Sequence, residues 1–313
     1  MGDNVMKYVK EGMTYKYQHP NIVTGGSCDP RYCYSVWMRH LIFYYEIRHD
    51  IPRTVIEFGP GDTIGTGLMA LLCGANEYYA LDFMHYSGNN RVFSVFNRLL
   101  TMLQKKTDIP GEKEFPNCTP RLKSYAFPGY ILTDEILKEC LSEARIREIK
   151  KNIEVFKLGR DAQMIHYLVP WWENEIKNIS GDLIFSQAVF EHIDDYKNAH
   201  QVVGRLAKQG TVISHDIDFD CHMCADRWNG HWAYDDLTWK MIYGSRPYFL
   251  NRIPLSVHIR EMQKAGIKIQ KVIRTRGDNG ILPQELSKAC SNIRERDFIT
   301  KNAYVVGVKT ESN

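Results

Sequence analysis

"VIEFGPGDTIGTGL", Val55 to Leu68, sets a short apolar run ahead of a glycine-rich turn and a helical pattern. The run has the length of a buried strand, and "TIGTGLMALLCGA" continues as a helix that stops near Gly74. "EYYALD", residues 77–82, then reads as a second strand. Strand, glycine turn, helix and strand form a βαβ unit, which calls for a parallel sheet with helices on its faces.

The chemistry of the turn narrows its ligand. A triphosphate loop needs Gly-Lys-Ser/Thr, but Gly61 is followed by Asp62 and Thr63. A dinucleotide turn wants G-x-G-x-x-G, so that backbone can approach a pyrophosphate. Here Gly59, Gly61 and Gly65 are one residue too wide, and Asp62 brings negative charge to the place where a pyrophosphate would lie. Glu57 at the end of the first strand suits a cationic or hydroxyl-bearing ligand. Asp82, ending the second, can accept both hydroxyls of a ribose.

Outward from this unit the alternation breaks and then resumes. "DPRYCYSVWMRHLIFYYEIRH" is a helix ahead of the first strand. "RVFSVFNRLLTMLQ" and "TDEILKECLSEARIREIKK" are helical, and the Pro- and aromatic-rich 107–130 lies between them. Strands follow at "NIEVFKL", "GDLIFSQ", "TVISHDID", "IKIQKVIR" and "AYVVGVK". Helices are expected at "DDYKNAHQVVGRLAKQG", "LSVHIREMQKAG" and "PQELSKACSNI". The fold class expected is α/β: a Rossmann-like, open, mostly parallel seven-stranded sheet with helices on both faces, whose ligands sit at the carboxyl ends of the strands. One domain is expected over 1–313, with an N-terminal helical extension over 1–52, a helical insertion over 88–150 and an aromatic, basic cap over 220–253. An insertion of that length usually covers something, as a lid or as a homodimer contact.

Composition removes other classes. Of 313 residues 44% are hydrophobic and 25% charged, and the net charge of +3 comes from scattered Lys and Arg, so there is no electrostatic footprint for nucleic acid. No apolar run is long enough to span a membrane, and the N-terminus has no secretory h-region; a cytoplasmic location is expected. The eight scattered cysteines read as free thiols. "CHMC", Cys221 to Cys224, has the spacing of half a zinc site, but no second such pair occurs and no metal is expected.

"VIEFGPGDTIGTG", the acid ending strand two, "GRDA", "DLIFSQAVFEHIDD" and "RLAKQGTVISHDID" together resemble class I S-adenosylmethionine-dependent methyltransferases, from about Val55 to Asp218. The "GPGD" and "SHDID" forms are similar to a subgroup associated with sugar and surface-polysaccharide biosynthesis. The resemblance implies S-adenosyl-L-methionine as cofactor. Gly59 and Gly61, flanked by Phe58 and Pro60, would pass close to its methionine portion, and Glu57 would lie near its amino group. Asp82 would hold the ribose, Phe83 would lie against the adenine, and Asp161 would face the adenine amino group with the Ala162 backbone beside it. Ser186 and Gln187 would line the methyl end. The turn lacks the family's commoner third close glycine, and Gly210 follows Lys-Gln rather than Lys-Pro.

Methyl transfer to an alcohol uses a base with a pKa near operating pH, a need that histidine fits. His215, ending the fifth strand with Asp216 and Asp218 close by, is the first candidate. His192 is the second, and His222 is read as structural. In the cap, Trp228, Arg246, Asn251 and Arg252 are candidate substrate residues, because aromatic faces and planar donors suit a sugar or a phosphate. Trp171 and Trp172 are read as packing. The function expected is O-methyl transfer to a small polar acceptor, a sugar, nucleotide-linked sugar or glycan, or a phosphate-type oxygen of one. The alternatives are an N-methyltransferase, a catalytically silent scaffold domain and an NAD-dependent oxidoreductase.

Overall fold

The computed structural model describes residues 3–14, 26–84, 91–160, 162–172, 176, 178–246 and 248–311. The helices are α1 (Asp3–Thr14), α2 (Pro30–Arg48), α3 (Gly65–Leu72), α4 (Val92–Gln104), α5 (Asp134–Cys140), α6 (Glu143–Lys157), α7 (Tyr196–Leu206), α8 (Asp236–Tyr243) and α9 (Leu255–Lys264), with one further turn at Glu295–Phe298. The strands are β1 (Thr54–Phe58), β2 (Glu77–Leu81), β3 (Ile165–Leu168), β4 (Gly181–Gln187), β5 (Ala207–Asp218), β6 (Ile267–Arg276) and β7 (Thr300–Lys309). They form one seven-stranded sheet in the order β3-β2-β1-β4-β5-β7-β6. The first five strands are parallel; β7 runs antiparallel to both β5 and β6.

Each face of the sheet is covered, as a mostly parallel sheet requires. One core joins α2, α3, α4 and α6 to the sheet through Trp37, Leu68, Phe96 and Ile153. The other joins α7 and α9 through Phe190, Val202 and Met262. A small third core packs α1 against α8 and the segment after β5, around Val9, Cys221, Cys224, Trp239 and Leu250.

Three expected elements come out differently. Residues 152–158, expected as a strand, are the end of α6. Ile149, Ile153 and Phe156 are buried at helical spacing, so the 3.6-residue period governs this apolar run. The third strand is instead the short Ile165–Leu168. The helix expected over 133–151 is two, because Ser142 caps α6 by accepting from the Arg145 N–H. The helix expected over 283–293 is two single 3₁₀ turns, Pro283–Glu285 and Lys288–Cys290.

Among its described residues the insertion after β2 reaches both α2 and the end of β5. It packs on α2: Ser35 Oγ donates to the Pro110 carbonyl at 2.7 Å, and Arg39, wholly buried, donates from Nε to the Pro120 carbonyl at 3.0 Å. Thr119 Oγ1 donates to Asp216 on β5 at 2.5 Å.

Candidate functional site

Strand order reverses between β1 and β4, and a crevice opens outside their carboxyl ends, where open α/β sheets take ligands. A cavity of about 760 Å³ occupies it. Its floor is Glu57, Phe58, Gly59, Pro60 and Gly61 from β1 and its turn, Leu81, Asp82 and Phe83 from β2, and Gln187, Ala188 and Val189 from β4. Gly26, Ser27, Tyr32 and Val36, at and before α2, close one side.

The turn after β1 needs its glycines for two reasons. Gly59 and Gly61 have φ of +67° and +73°, the left-handed region that side chains disfavour. A Cβ on Gly59 would also stand 2.5 Å from Val189 Cγ2. Farther along, a Cβ on Gly67 would fall 2.1 Å from the Tyr78 ring. Bare backbone there lets α3 settle on Tyr78, whose hydroxyl then reaches Glu57.

Two carboxyl groups are buried at the strand ends. Glu57 is 3% exposed and Asp82 6% exposed. Glu57 accepts from the Tyr78 hydroxyl at 2.5 Å, and burial pushes its pKa up to about 8 despite that bond. Asp82 accepts from the Phe83 N–H at 2.7 Å and from the Tyr167 hydroxyl at 3.4 Å, and burial pushes it up to about 7. A cation beside Glu57 or a diol beside Asp82 would offset the desolvation that raises both. Asp62, read from sequence as the acid of this turn, is buried and does not line the cavity. The acids that face the cavity from these strand ends are instead Glu57 and Asp82.

Phe83, Trp172 and Tyr248 make an aromatic wall, with ring centroids 5.7 Å apart for Phe83–Trp172 and 6.3 Å for Phe83–Tyr248. Trp171 and Trp172, read as packing, both line the cavity, and the Trp171 backbone N–H donates to the Asp82 carbonyl at 2.9 Å. Asp161 lies outside the described residues. Ala162 is buried in the core beside Met164 and is not on the cavity wall. Ser186 is likewise off the wall, and its Oγ pairs with His215 Nδ1 at 2.8 Å.

The histidines require a correction. His215 is wholly buried beneath Phe190, with ring centroids 4.4 Å apart, and does not reach the cavity. Burial pushes its pKa down to about 3, so it is neutral and enclosed. Alternation along β5 explains this: neighbours on a strand face opposite sides, and Asp218 reaches the cavity where His215 does not. His192 does line the cavity; its Nδ1 lies 3.3 Å from the Phe249 carbonyl and so carries the proton, and burial lowers its pKa to about 4.

His222, read as structural, is on the cavity wall with Nε2 3.4 Å from Asp218 Oδ2. Burial works against its charged form, but the bond to Asp218 and the neighbouring acids outweigh it, so its pKa is raised. Its backbone is left-handed, φ +47°, and Met223 follows at +66°. Such conformations persist in non-glycine residues where the surroundings hold them. Tyr8 on α1 does part of that holding, donating to the His222 carbonyl at 2.8 Å.

None of the four cap residues expected to bind substrate lines the cavity. Trp228 packs on Trp232, with centroids 6.3 Å apart. Arg246 stacks on the Tyr8 and Phe249 rings and donates to the Tyr8 carbonyl at 3.2 Å. Arg252 lies 4.8 Å over the Trp239 ring and donates to Asp236 at 3.0 Å. Asn251 clamps the turn that carries His192, donating from Nδ2 to the Phe190 and Ile193 carbonyls at 2.7 and 2.9 Å. Planar donors in an aromatic segment serve to pack a cap as well as to grip a ligand, and here they pack it.

Among the described residues, no Lys or Arg lines the cavity, whereas Glu57, Asp82, Asp194, Asp195 and Asp218 do. The wall thus favours cations and hydroxyl groups over phosphates.

No family model matches the chain, and no curated protein matches it. Solved structures do resemble it. The phosphoethanolamine N-methyltransferase 2 of Haemonchus contortus, in complex with S-adenosyl-L-methionine, is 13% identical with a TM-score of 0.42, over 88% of this chain and 53% of that one. An S-adenosylmethionine-dependent methyltransferase of Mesorhizobium loti is 10% identical with a TM-score of 0.41, over 88% and 98% of the two chains. The N-methyltransferase NodS of Bradyrhizobium japonicum, with S-adenosyl-L-homocysteine, is 9% identical with a TM-score of 0.38, over 99% and 100%.

Proposed function

We propose that the chain is an S-adenosyl-L-methionine-dependent methyltransferase that acts on a hydroxyl oxygen of a small, uncharged, polyhydroxylated acceptor such as a sugar. The observation that carries this reading is the pair of buried carboxyls, Glu57 and Asp82, set on adjacent strand ends in one cavity beside two left-handed glycines. A cationic amino acid joined to a ribose satisfies both, and a pyrophosphate satisfies neither. Glu57 would hold the amino group, Asp82 the ribose hydroxyls, and Phe83 with Trp172 the flat base. The cofactor supplies an electrophilic methyl group; the chain supplies alignment, exclusion of water and a place for the acceptor's proton.

That place is the Asp218–His222 pair together with His192. Asp218 holds the His222 ring and stabilises its charged form, the usual service of a carboxylate to a general base. This need for a base favours oxygen over amine nitrogen as the methylated atom. The lack of basic residues on the described wall argues against the phosphorylated and nucleotide-linked acceptors expected from the cap arginines.

The reading is tested by incubating the protein with methyl-labelled cofactor and a panel of free sugars, glycans, nucleotide sugars and amines. Label on neutral sugars or glycans supports it. Label only on amines or on nucleotide sugars overturns the acceptor assignment.

A further inference from the structure

At the acceptor end of the cavity the two histidines named above, His192 and His222, also belong to a second arrangement, and an ion held there would take over from them the activation of the acceptor oxygen. One carboxylate oxygen of Glu191, one ring nitrogen of His192 and one of His222 all lie within 4.8 Å of one another. Glu191 is 3% exposed, and neither of its oxygens has a side-chain partner or a well-formed hydrogen bond. The backbone N–H groups of Glu191 itself and of Asp218 interact with its carboxyl. A carboxylate removed from water and left without a cation is costly, and proteins that keep one there usually pair it or use it to coordinate a metal.

The surroundings are those of metal-binding imidazoles. His192 gives its Nδ1 proton to the Phe249 carbonyl, which leaves Nε2 with a free lone pair. His222 is oriented by Asp218 at 3.4 Å. A backbone carbonyl behind one ring and a carboxylate behind the other fix tautomer and direction, as around metal-bound histidines. The backbone is held as firmly: Asn251 clamps the turn of Glu191 and His192 through three hydrogen bonds of 2.7 to 2.9 Å, and Tyr8 ties down the left-handed His222.

We propose that Glu191, His192 and His222 bind a divalent first-row transition ion of the Zn²⁺, Fe²⁺ or Mn²⁺ type. Two imidazoles and one carboxylate suit these ions, whereas Mg²⁺ and Ca²⁺ prefer all-oxygen sets. Three protein ligands leave coordination positions open. Because His192 and His222 are on the cavity wall and Glu191 is not, those positions face the cavity. The second ligand class of this site would then be an acceptor hydroxyl oxygen. The ion site stands on its own geometry; only the role of the acceptor oxygen rests on the methyltransferase reading.

The test is calorimetric titration of tag-free, chelator-treated protein with Zn²⁺ and with Mg²⁺, and Co²⁺ titration followed by visible absorption. One Zn²⁺ per chain at micromolar affinity or better is expected, with no Mg²⁺ heat, and a Co²⁺ spectrum from nitrogen and oxygen ligands. Glu191→Gln and His222→Ala should each weaken Zn²⁺ by on the order of 100-fold or more. Cys224→Ser should leave it unchanged, and circular dichroism confirms that each variant is folded. No Zn²⁺ binding, affinity unaltered in both ligand variants, or affinity lost in Cys224→Ser would overturn the site. Cofactor titration of the same samples reports separately on the methyltransferase reading.

Discussion

The Tyr78 hydroxyl donates to Glu57 across 2.5 Å from beneath the cavity floor, and it can do so because Gly67 of α3 carries no Cβ to meet its ring. The bond ties the packing of a helix to the charge of a ligand-facing carboxyl. Tyr78→Phe should cost about 0.5–1.5 kcal/mol of stability near neutral pH, the range for a hydrogen bond between neutral groups, because Glu57, raised to about 8, is then mostly protonated. It should also weaken cofactor binding, since the bond favours ionised Glu57. Gly67→Ala should be worse on both counts, because the added methyl must displace a ring in a filled core. Denaturant unfolding and calorimetry on the two variants check this; an unaffected Gly67→Ala would contradict it.

Buried carboxyls set the alkaline limb of stability. Glu57 is raised to about 8, and Asp82 and Asp216 to about 7, all chiefly by burial. For a group raised on folding, the folded state holds the extra proton, so its contribution is complete below the unfolded value of ~4, is lost progressively as pH rises through the folded values of about 7 and 8, and changes little above them. The ligand-free protein should therefore lose melting temperature from pH 6.5 to 8.5. A cation at Glu57 should flatten this limb, and its binding near pH 7 should release protons. Melting scans, with calorimetry in buffers of different ionisation heat, read both effects. A limb that stays the same in Glu57→Gln would count against the assignment.

Buried histidines set the acid limb. His40, His200 and His215 are each lowered to about 3 by burial. A depressed pKa contributes stability above the unfolded value near 6.5 that is lost as pH falls toward 3. His40 is held neutral between Ser214 Oγ at 2.7 Å and the Tyr304 hydroxyl at 2.9 Å. His40→Gln should shallow the acid limb while lowering stability at pH 7. An acid limb as steep as that of the wild type would show that His40 does not drive it.

The two candidate bases separate by variant. His222→Ala should reduce methyl transfer by ~10²–10⁴-fold, the usual contribution of a general base, with cofactor affinity little changed. His215→Ala should reduce stability by leaving a gap beneath Phe190, while each folded molecule keeps most of its turnover. Single-turnover assays beside cofactor titrations decide between them. Loss of chemistry in His215→Ala with intact folding would restore the strand-end histidine as base.

The β1 turn, Asp82 and the seven-stranded, mostly parallel sheet are legible because each rests on a local pattern: a glycine turn, an acid at a strand end, a repeating βα alternation. Residues 152–158 misled because a short apolar run fits either period until its neighbour Ile149 is counted with it. The cap misled for a different reason. Arg246 and Arg252 have the composition of a substrate grip, but Arg246 stacks on Tyr8 of α1, far away in sequence, and Arg252 on Trp239 of the nearby α8, and composition shows neither pairing. His222 carried no periodic signal, since its position depends on left-handed backbone and on Tyr8, 214 residues away. Glu191 adjoins His192 in sequence, and only its burial without a side-chain partner marks it.

The most direct measurement is a calorimetric competition at the cavity between S-adenosyl-L-methionine, S-adenosyl-L-homocysteine and NAD⁺, on wild type and on Glu57→Gln and Asp82→Asn. A site built on two buried carboxyls predicts micromolar binding of the first two, loss of at least ~10-fold in each variant, corresponding to about 1.4 kcal/mol, and no binding of NAD⁺. Binding of NAD⁺ in preference to the sulfonium nucleoside, or wild-type affinity in both variants, would contradict it.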